Sequence, residues 1–366
     1  MCYNLIIVSI EALTNLNRFK EFDDHQAVYR FEDSANNLRG FIEIHNDNLG
    51  PATGGTRMFP YASEDDALRD VLRLSRAMTY KCALAGVRHG GGKAVIIGDP
   101  DRDKNEALLR AYASVVNELK GSFTTGEDSG ITEDDVQIML QESRFFNGRR
   151  GIAGDPSPYA ALTTFLAMRE ALKSVFGNDE LSRKIVAVKG IGKAGANLVK
   201  LIINSGAKVI AADIKEKALT EMKKKFPTVS FVNPKKIHMQ KVHIFAPCAL
   251  GDDITGENIN EIQASIICGV ANNQLSSPAV GEALHQKKIL YIPDYVANCG
   301  GLINVIDELE AGGYNKNRVM TRIQSVSINT QRLITQSRNE NQPTHIIADR
   351  LADKIFSKIP SRAAVV

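Results

Sequence analysis

The chain has 366 residues, which suggests about two domains at roughly 150 residues each. Lysine and arginine number 45, and aspartate and glutamate number 42, so the net charge is only +3. That balance argues against a protein that binds nucleic acid by neutralising phosphates. Hydrophobic residues make up 43% of the chain and charged residues 24%, which is the composition of a globular protein.

The sequence gives no indication of membrane insertion or export. The apolar run from Leu5 to Ile10 is too short to span a bilayer, and no later run reaches the ~20 residues required. No basic residue precedes this run and no small-residue cleavage site follows it, so a signal peptide is not expected. The cysteines are Cys2, Cys82, Cys248, Cys268 and Cys299. Their odd number and wide spacing disfavour a disulfide framework and a zinc site, and we expect a cytoplasmic protein.

The first part of the chain mixes strand-like and helix-like segments. Gly40–His45 and Ala94–Ile97 are predicted strands, and Glu64–Met78 is a predicted helix with Ser63 as its N-cap. The segment 148–158 has three glycines and two prolines in eleven residues. This composition is typical of an interdomain linker or a functional loop.

After this segment the pattern becomes regular. A helix is predicted from Tyr159 to Phe176, and short apolar strands then alternate with helical segments. The predicted strands are Ile185–Lys189, Lys208–Ala212, Ser230–Val232, Val242–Ala246, Ala264–Val270 and Ile289–Pro293. Short buried strands separated by helices predict a parallel, doubly wound sheet. From Gly300 onward the chain is predicted to be mostly helical, ending in an amphipathic segment at 346–359.

A dinucleotide-binding fingerprint lies in this second part. Gly190, Gly192 and Gly195 form a GxGxxG motif that directly follows the strand 185–189 and opens a helix. The first glycine permits a tight turn, the second lets backbone amides approach a pyrophosphate, and the third lets the helix pack against the strand. The N-terminus of that helix would receive the phosphate charge.

The residues around the fingerprint indicate which nucleotide binds. Asp213 ends the next strand, 18 residues after the last glycine of the motif. A carboxylate there would bind the ribose hydroxyls and repel a 2′-phosphate, which favours NAD over NADP. Lys215 weakens that preference, and Lys193 inside the turn could add positive charge near the pyrophosphate.

Candidate catalytic residues lie upstream of the linker. Lys93 follows the glycine triplet 90–92, which would let the backbone pack close to a ligand. Lys81, twelve residues earlier, could converge on the same pocket and bind a substrate carboxylate. Burial and the like charge of Lys81 would favour the neutral amine of Lys93, which could then act as a base. Asp128, on a loop between glycines, could bind an amine or assist proton transfer, although such residues are more often turn aspartates and most lysines are simply solvated.

Motifs spread in order over most of the chain resemble the amino acid dehydrogenase family of the glutamate, leucine, phenylalanine and valine dehydrogenases. The match runs from about Gly40 to about Lys354, is strongest for the leucine dehydrogenase branch, and is poor over the first thirty or so residues. The matching segments are Gly50–Arg57, Met78–Lys81, Gly90–Lys93, Gly126–Asp128, Gly154–Pro158, Phe245–Leu250, Ala271–Leu275 and Asn298–Asn304.

This resemblance implies roles for particular residues. Lys93 would be the catalytic acid/base and would activate the water that hydrolyses an imine. Lys81 and Asn273 would hold the substrate carboxylate, and Asp128 would assist at the amino group. The reaction would be the NAD-dependent oxidative deamination of an L-amino acid to a 2-oxo acid and ammonia.

The resemblance also implies two α/β domains with a catalytic cleft between them. Residues 1–147 would form the substrate-binding and oligomerisation domain, to which a C-terminal helix within 342–366 would return. Residues 148–341 would form the Rossmann-type NAD-binding domain. Further cofactor contacts would come from Ala194, Ala249, Asn272 and Asn298. The protein would act on small molecules as a homo-oligomer, without nucleic acid, membrane or metal; His238, His243 and His285 are too scattered to suggest a metal site.

The implied substrate pocket is apolar. Glutamate-specific relatives carry a lysine where Thr53 stands, next to Gly54, whereas Leu302 and Val305 resemble the pocket wall of leucine dehydrogenases. A buried glutamate carboxylate would lack a partner there, at a cost of several kcal/mol. This favours branched-chain substrates. Gly126 stands where leucine dehydrogenases usually have alanine, so a roomier pocket for an aromatic amino acid is the alternative.

Other departures from the family concern the cofactor contact and the glycine triplet. Ala160 stands where a threonine usually contacts the nicotinamide, and Thr163 could replace it. Arg88 and His89 stand where neutral residues are more common. A non-catalytic nucleotide-sensing relative is therefore a further hypothesis. A 2-hydroxy acid dehydrogenase is disfavoured, because no histidine base with a carboxylate partner is evident.

Overall fold

The protein is described by a computed structural model that covers residues 9–249 and 251–357. The chain divides into two compact units. The first comprises the described residues as far as Gly154, together with Val305–Tyr314 and the residues from Ala352. The second comprises Asp155–Asn304 and Asn315–Leu351. Cys2, most of the apolar run 5–10 and the end of the predicted C-terminal segment lie outside the described residues.

The first unit is built on a mixed sheet. Its strands are β1 (Ser9–Ala12), β2 (Ala27–Asp33), β3 (Leu38–Asn46), β4 (Ala52–Thr53), β5 (Thr56–Phe59), β6 (Gly90–Ile97) and β7 (Phe123–Thr124). Its helices are α1 (Glu64–Ala85), α2 (Glu106–Glu118) and α3 (Glu133–Met139). The strand order is β1-β2-β3-β6-β4-β7, and β5 also pairs with β6. The predicted helix 64–78 is confirmed and extends to Ala85, about two turns further. The Ser63 side chain caps it as predicted by accepting from Asp66 N.

Strand β6 lies at the centre of this sheet, and the glycine triplet lies inside it. It pairs antiparallel with β3 and parallel with β4 and β5. A Cβ added at Gly91 would collide with the backbone of Thr79 on α1, and one at Gly92 would meet the ring of Phe123. The triplet was expected to bring the backbone close to a ligand. Its close neighbours are instead other parts of the protein, and its absent side chains let α1 pack directly on β6.

The layer between α1 and the sheet is partly polar. Glu43 on β3 is fully buried and lies directly opposite Lys93 in the β3–β6 register. One of its carboxyl oxygens accepts from the Ser75 hydroxyl at 3.3 Å, and the other has no hydrogen-bond partner. Burial raises the pKa of Glu43 well above its ordinary value, and the Ser75 hydrogen bond only partly offsets this. The buried position of Glu43 therefore favours its neutral, protonated form.

The second unit contains a parallel sheet. Its strands are β8 (Ile185–Lys189), β9 (Lys208–Ala212), β10 (Ser230–Phe231), β11 (Ile244–Pro247), β12 (Ile266–Ile267) and β13 (Leu290–Tyr291). The order is β10-β9-β8-β11-β12-β13 with every pairing parallel. All six predicted strands are confirmed, and this order is that of a Rossmann fold. Its direction reverses between β8 and β11, the position at which such sheets bind ligands.

The helices of the second unit follow the predicted alternation. They are α4 (Ser157–Phe176), α5 (Lys193–Asn204), α6 (Glu216–Lys225), α7 (Pro278–Gln286), α8 (Asp294–Ala297) and α10 (Lys316–Glu340). Two further helices, α9 (Gly300–Ile306) and α11 (Thr344–Phe356), run across the boundaries between the units. Among the described residues, no helix is both long enough and apolar enough to cross a membrane.

The buried acid between α1 and the sheet predicts a specific pH dependence of stability. An unfolded chain loses the Glu43 proton near pH 4.5, whereas the folded chain keeps it to higher pH. The free energy of unfolding therefore falls as the pH rises through this window, by about 1.4 kcal/mol per pH unit for one proton. Glu43→Gln cannot ionise, so it should be more stable than the parent at pH 9 and nearly equal at pH 4.

Urea unfolding at pH 4, 7 and 9 measures this difference. Glu118→Gln, which changes an exposed carboxylate at the end of α2, is the matched control and should follow the parent. Parallel stability curves for Glu43→Gln and the parent would contradict the assignment.

Candidate active site and cofactor site

The structure brings two of the predicted catalytic residues into contact. Lys93 lies on β6 with 5% of its surface exposed, and its Nζ forms a short ion pair with Oδ2 of Asp128. Asp128 follows β7 on a tight loop closed by a hydrogen bond from Ile131 N to its carbonyl, at 3.0 Å. A charge buried this deeply requires an opposite charge beside it. The ion pair therefore fixes both groups.

The environment of Asp128 decides which of its predicted roles is feasible. Burial alone would raise the pKa of Asp128, but the positive charges of Lys93 and Arg57 outweigh burial and hold the pKa well below the usual range. A carboxylate that is so hard to protonate is a poor proton acceptor. Its chemistry suits the binding of an ammonium group, which is the first of the two predicted roles.

The neighbour of Lys93 differs from the one expected. The sequence analysis placed a like charge, that of Lys81, beside Lys93. The group that contacts Lys93 Nζ is instead the negatively charged carboxylate of Asp128. Lys81 lies on α1 and is half-buried, and its role as a carboxylate anchor stays a prediction.

Arg57 is a site residue that the sequence analysis missed. Its Nε donates to Oδ1 of Asp128 at 3.1 Å, and its Nη1 donates to Asp70 on α1 at 2.8 Å. The sequence contains a feature that points to this residue, because Arg57 ends the family motif 50–57, in which the predicted site residues were Thr53 and Gly54.

The predicted pocket residues of the first unit lie near this ion pair in the fold. Thr53 is buried on β4, where it pairs with Gly91 of β6. A Cβ at Gly54 would collide with the carbonyl of Gly92, so Gly54 lets the chain run closely beside β6. The carbonyl of Gly126 accepts from Thr56 N at 3.0 Å.

The space beside Gly126 is not empty. A Cβ added there would collide with the amide oxygen of Asn147 and lie 3.1 Å from the Asn147 carbonyl. The expectation that Gly126 widens the pocket is therefore corrected: the Asn147 side chain, which is buried, occupies the volume that a larger residue at 126 would fill.

Helix α9 divides its side chains between the interior and a more accessible face. Leu302 and Val305 are three residues apart and half-buried, whereas Ile303 and Ile306 are fully buried. Leu302 and Val305 therefore retain apolar surface that a ligand could cover. In the second unit, Asn273 adopts the left-handed conformation with φ 52° and donates its backbone N–H to Asp294 at 3.0 Å.

The three glycines of the fingerprint differ in their backbone conformation and in the space around them, as their predicted functions require. Gly190 has φ +92°, and a Cβ there would lie 2.7 Å from the backbone nitrogen of Ala249. A Cβ at Gly195 would collide with the carbonyl of Gly190, so Gly195 permits the close helix–strand contact. Gly192 is exposed, with nothing within 4 Å of an added Cβ. The open space at Gly192 therefore lies beside the backbone amides at the N-terminus of α5, where a pyrophosphate would bind.

Asp213 is bonded to the glycine turn itself. Its carboxylate accepts from Ile191 N at 2.8 Å and from Lys215 N at 2.9 Å. Lys193 and Lys215 are exposed at the start of α5 and just before α6. Ala194 is half-buried in the first turn of α5.

Asn298 and Asn272 form a second polar group in this unit. Asn298 is buried and donates its amide to the Val270 carbonyl at 2.9 Å and to Asn272 Oδ1 at 2.7 Å. The amide oxygen of Asn298 has no hydrogen-bond partner. A buried acceptor without a donor, together with the open Gly192, fits a dinucleotide that supplies polar groups to this unit.

Two of the noted departures from the family pattern have definite structural settings. Thr163 is fully buried, and its hydroxyl donates to the backbone of α4 and accepts from Gly300 N at 3.1 Å. Its hydroxyl is thus engaged within the protein, and the expectation that Thr163 replaces a nicotinamide contact at Ala160 is not supported. Arg88 is exposed and His89 is buried.

The cysteines and histidines play structural parts in the described residues. Cys82, Cys248, Cys268 and Cys299 are free thiols. Desolvation raises the pKa of the Cys248 thiol to about 12, and the residue is half-buried. His238 pairs with Glu261 at 2.8 Å. In residues 9–249 and 251–357, no three His, Cys, Asp or Glu side chains form a group that could hold a metal ion.

A Rossmann sheet with this glycine turn, and a separate unit with a buried lysine–aspartate pair, define a dinucleotide-dependent oxidoreductase. Comparison with known proteins identifies the family. The dimerisation domain of the Glu/Leu/Phe/Val dehydrogenases matches residues 24–145, and the Glutamate/Leucine/Phenylalanine/Valine dehydrogenase domain matches residues 212–342. The chain belongs to this family of amino acid dehydrogenases.

The relatives cover nearly the whole chain. Leucine dehydrogenase from Geobacillus stearothermophilus is 42% identical over 93% of this chain and 92% of its own length. Valine dehydrogenase from Streptomyces virginiae is 39% identical over 91% and 94%. Among solved structures, L-tryptophan dehydrogenase from Nostoc punctiforme superposes with a TM-score of 0.80 at 37% identity, over 91% of this chain and 96% of that one. The predicted family and fold class are confirmed.

The contrast between two glycines of the fingerprint yields a test of the cofactor site. Gly190→Ala should destabilise the fold, because the backbone has a positive φ and Ala249 lies too close. Gly192→Ala should leave the melting temperature nearly unchanged, because the space is open, yet weaken NADH binding at least about tenfold by obstructing the pyrophosphate. Thermal unfolding and NADH fluorescence titration measure the two effects. Parent-like NADH affinity in a folded Gly192→Ala variant would place the cofactor elsewhere.

Proposed function

We propose that this protein catalyses the NAD-dependent oxidative deamination of branched-chain L-amino acids. The observation that carries the proposal is the buried Lys93–Asp128 ion pair in a chain that is 42% identical to a leucine dehydrogenase over nearly all of its length. The pair offers a proton-transfer group next to an anion that can bind a substrate ammonium group.

In the proposed mechanism the substrate is held by charge at both ends of its backbone. Lys81 and Asn273 bind the carboxylate, and Asp128, which stays ionised, accepts hydrogen bonds from the amino group. NAD, if bound, would supply the acceptor for the hydride that leaves the α-carbon, after the substrate ammonium group has released one proton to solvent. Neutral Lys93 takes a proton from the water that adds to the resulting imine carbon, gives it to the nitrogen so that ammonia can leave, and takes the remaining hydroxyl proton as the carbonyl forms. For that step Lys93 must first be neutral, so its proton must leave although Asp128 attracts it.

The preference for an apolar side chain rests on three features. Thr53 supplies no positive charge for a second carboxylate, and Leu302 and Val305 contribute half-buried apolar surface. A glutamate side chain would lose its hydration without gaining a partner. The aromatic alternative is kept, because a tryptophan dehydrogenase shares the fold at 37% identity. The Asn147 amide beside Gly126 favours the smaller substrates.

The cofactor preference rests on Asp213. A carboxylate at the end of β9 attracts ribose hydroxyls and repels a 2′-phosphate, so NAD is the proposed cofactor. Further contacts are proposed for the three fingerprint glycines and for Lys193, Ala194, Lys215, Ala249, Asn272 and Asn298. We also propose a homo-oligomer, supported by the match of residues 24–145 to a dimerisation domain. A cytoplasmic location is supported by the four free thiols.

A panel of L-amino acids assayed for NADH formation tests the substrate. Leucine, isoleucine and valine should react with NAD, with much lower rates when NADP replaces it, and glutamate should be inactive. Appreciable glutamate activity would refute the pocket assignment. NADH formation with phenylalanine or tryptophan alone would favour the alternative, an aromatic amino acid dehydrogenase.

Variants of the two lysines test the chemistry. Lys93→Ala should lower kcat by at least about 100-fold, the scale of a lost general base, and deamination by the parent should increase with pH as Lys93 loses its proton. Lys81→Ala should mainly raise KM, because a carboxylate anchor acts in the ground state as well as the transition state. Steady-state kinetics between pH 7 and 11 distinguish the two, and NADH titration confirms that both variants retain the cofactor site. Near-normal kcat in Lys93→Ala would make this lysine structural.

A further inference from the structure

A line of alternating charges continues from the Lys93–Asp128 pair towards α1. Arg57 Nε donates to Asp128 at 3.1 Å, and Arg57 Nη1 donates to Asp70 Oδ2 at 2.8 Å. The hydroxyl of Tyr61 donates to the same Asp70 oxygen at 2.7 Å. The sequence of charges is therefore positive, negative, positive, negative, beginning at the candidate base.

The line fixes the orientation of the Asp128 carboxylate. Oδ2 faces Lys93, while Oδ1 accepts both from Arg57 and from Ser129 N at 2.7 Å. A Cβ at Gly55 would lie 2.9 Å from the Asp128 Cβ and 3.2 Å from Oδ2, so the backbone of Gly55 closes the remaining side. Arg57 thus determines which oxygen Asp128 presents to Lys93.

Water screens these charges only partly. The side chains of Lys93, Asp128, Arg57 and Asp70 are 6%, 22%, 24% and 14% exposed. Burial opposes the charged form of Arg57, and the carboxylates of Asp128 and Asp70 outweigh it and raise the pKa of Arg57. Burial, reinforced by the bond to Asp70, raises the pKa of Tyr61. Arg57 therefore stays charged and Tyr61 stays a donor throughout the working pH range.

Other ionisable groups near the line are neutral, screened or paired elsewhere. Glu43 lies opposite Lys93 on β3, and its burial favours the neutral form. Arg73 reaches Asp70 Oδ1 at 3.3 Å but is half exposed. Lys104 binds the Gly130 carbonyl and pairs with Asp135. Glu127 precedes Asp128 in the chain, and Lys81 lies on α1.

We propose that Arg57 and Asp70 are positioning residues whose opposite charges set how tightly Lys93 holds its proton. The positive charge of Arg57 partly offsets the negative charge of Asp128 and so weakens the attraction between Asp128 and the proton on Lys93. Asp70 neutralises part of Arg57 and limits that effect. This inference rests on the proposed role of Lys93 as the base.

Two variants should move the pH profile in opposite directions. Arg57→Gln removes a positive charge, so the alkaline rise of kcat for amino acid deamination should move up by about one pH unit, a tenfold change in proton affinity. Asp70→Asn leaves Arg57 uncompensated, so the same rise should move down, by about half a unit. The substrate is the same in every assay, so its own amino group contributes equally.

Two further variants serve as controls. Arg73→Gln removes a more exposed partner of Asp70 and should leave the profile within about 0.2 units of the parent. Arg57→Lys keeps the charge, so its profile should return towards that of the parent even where kcat stays low. Circular dichroism and NADH titration establish that each variant is folded.

The results separate this inference from the function on which it rests. Shifts of the pH profile in the same direction for both variants, or a lowered kcat with an unmoved profile, would show that Arg57 and Asp70 are only structural and would overturn the inference. An inactive Lys93→Ala variant would still support the proposed function in that case. Normal kcat in Lys93→Ala would instead overturn the function. If Arg57→Gln does not fold, the Asp70→Asn profile decides, and an unmoved or alkaline shift overturns the inference.

Discussion

The first unit depends on the burial of one charged amine. Removing a lysine ammonium from water costs several kcal/mol unless an anion and good geometry compensate, and Lys93 is only 5% exposed. Asp128 supplies the anion, and the loop that carries it can come close enough only because Gly55 has no side chain. The glycines at 54 and 91 have the same effect on the strands and helix around the lysine. The local backbone is thus adapted to a single buried ion pair.

In the proposed function the second unit meets a different constraint, because it would present backbone amides to the pyrophosphate of the cofactor. A turn with φ +92° at Gly190, a tight contact at Gly195 and an open Gly192 accomplish this within six residues. The turn lies at the end of β8, where the strand order reverses. Glycine therefore allows close packing in the first unit, and in the second unit it is proposed to leave room for a ligand.

Features determined by neighbouring residues could be predicted from the sequence. The six parallel strands, the Ser63 cap, the turn at Gly190 and the close packing at Gly195 follow from local hydrophobic pattern and turn chemistry, and the structure agrees. Features that depend on packing between distant segments could not. Such features are the Asn147 amide beside Gly126, the buried Glu43 beneath α1 and the anion beside Lys93. Each of them joins residues that lie 21 to 35 positions apart in the chain. Nothing in the local pattern reveals which side chain fills such a space.

The hydrogen bond from Ile191 to Asp213 limits how the coenzyme choice could be redesigned. The carboxylate proposed to reject a phosphorylated ribose is also the acceptor that closes the glycine turn. Deleting it would leave a buried N–H without a partner, at a cost of about 1–3 kcal/mol. A variant adapted to the phosphorylated coenzyme would therefore need a neutral acceptor such as asparagine at 213, with the compensating cation supplied by the exposed Lys215. In the proposed function one side chain serves both coenzyme selectivity and the glycine turn, so a substitution that changes the selectivity must keep a hydrogen-bond acceptor at this position.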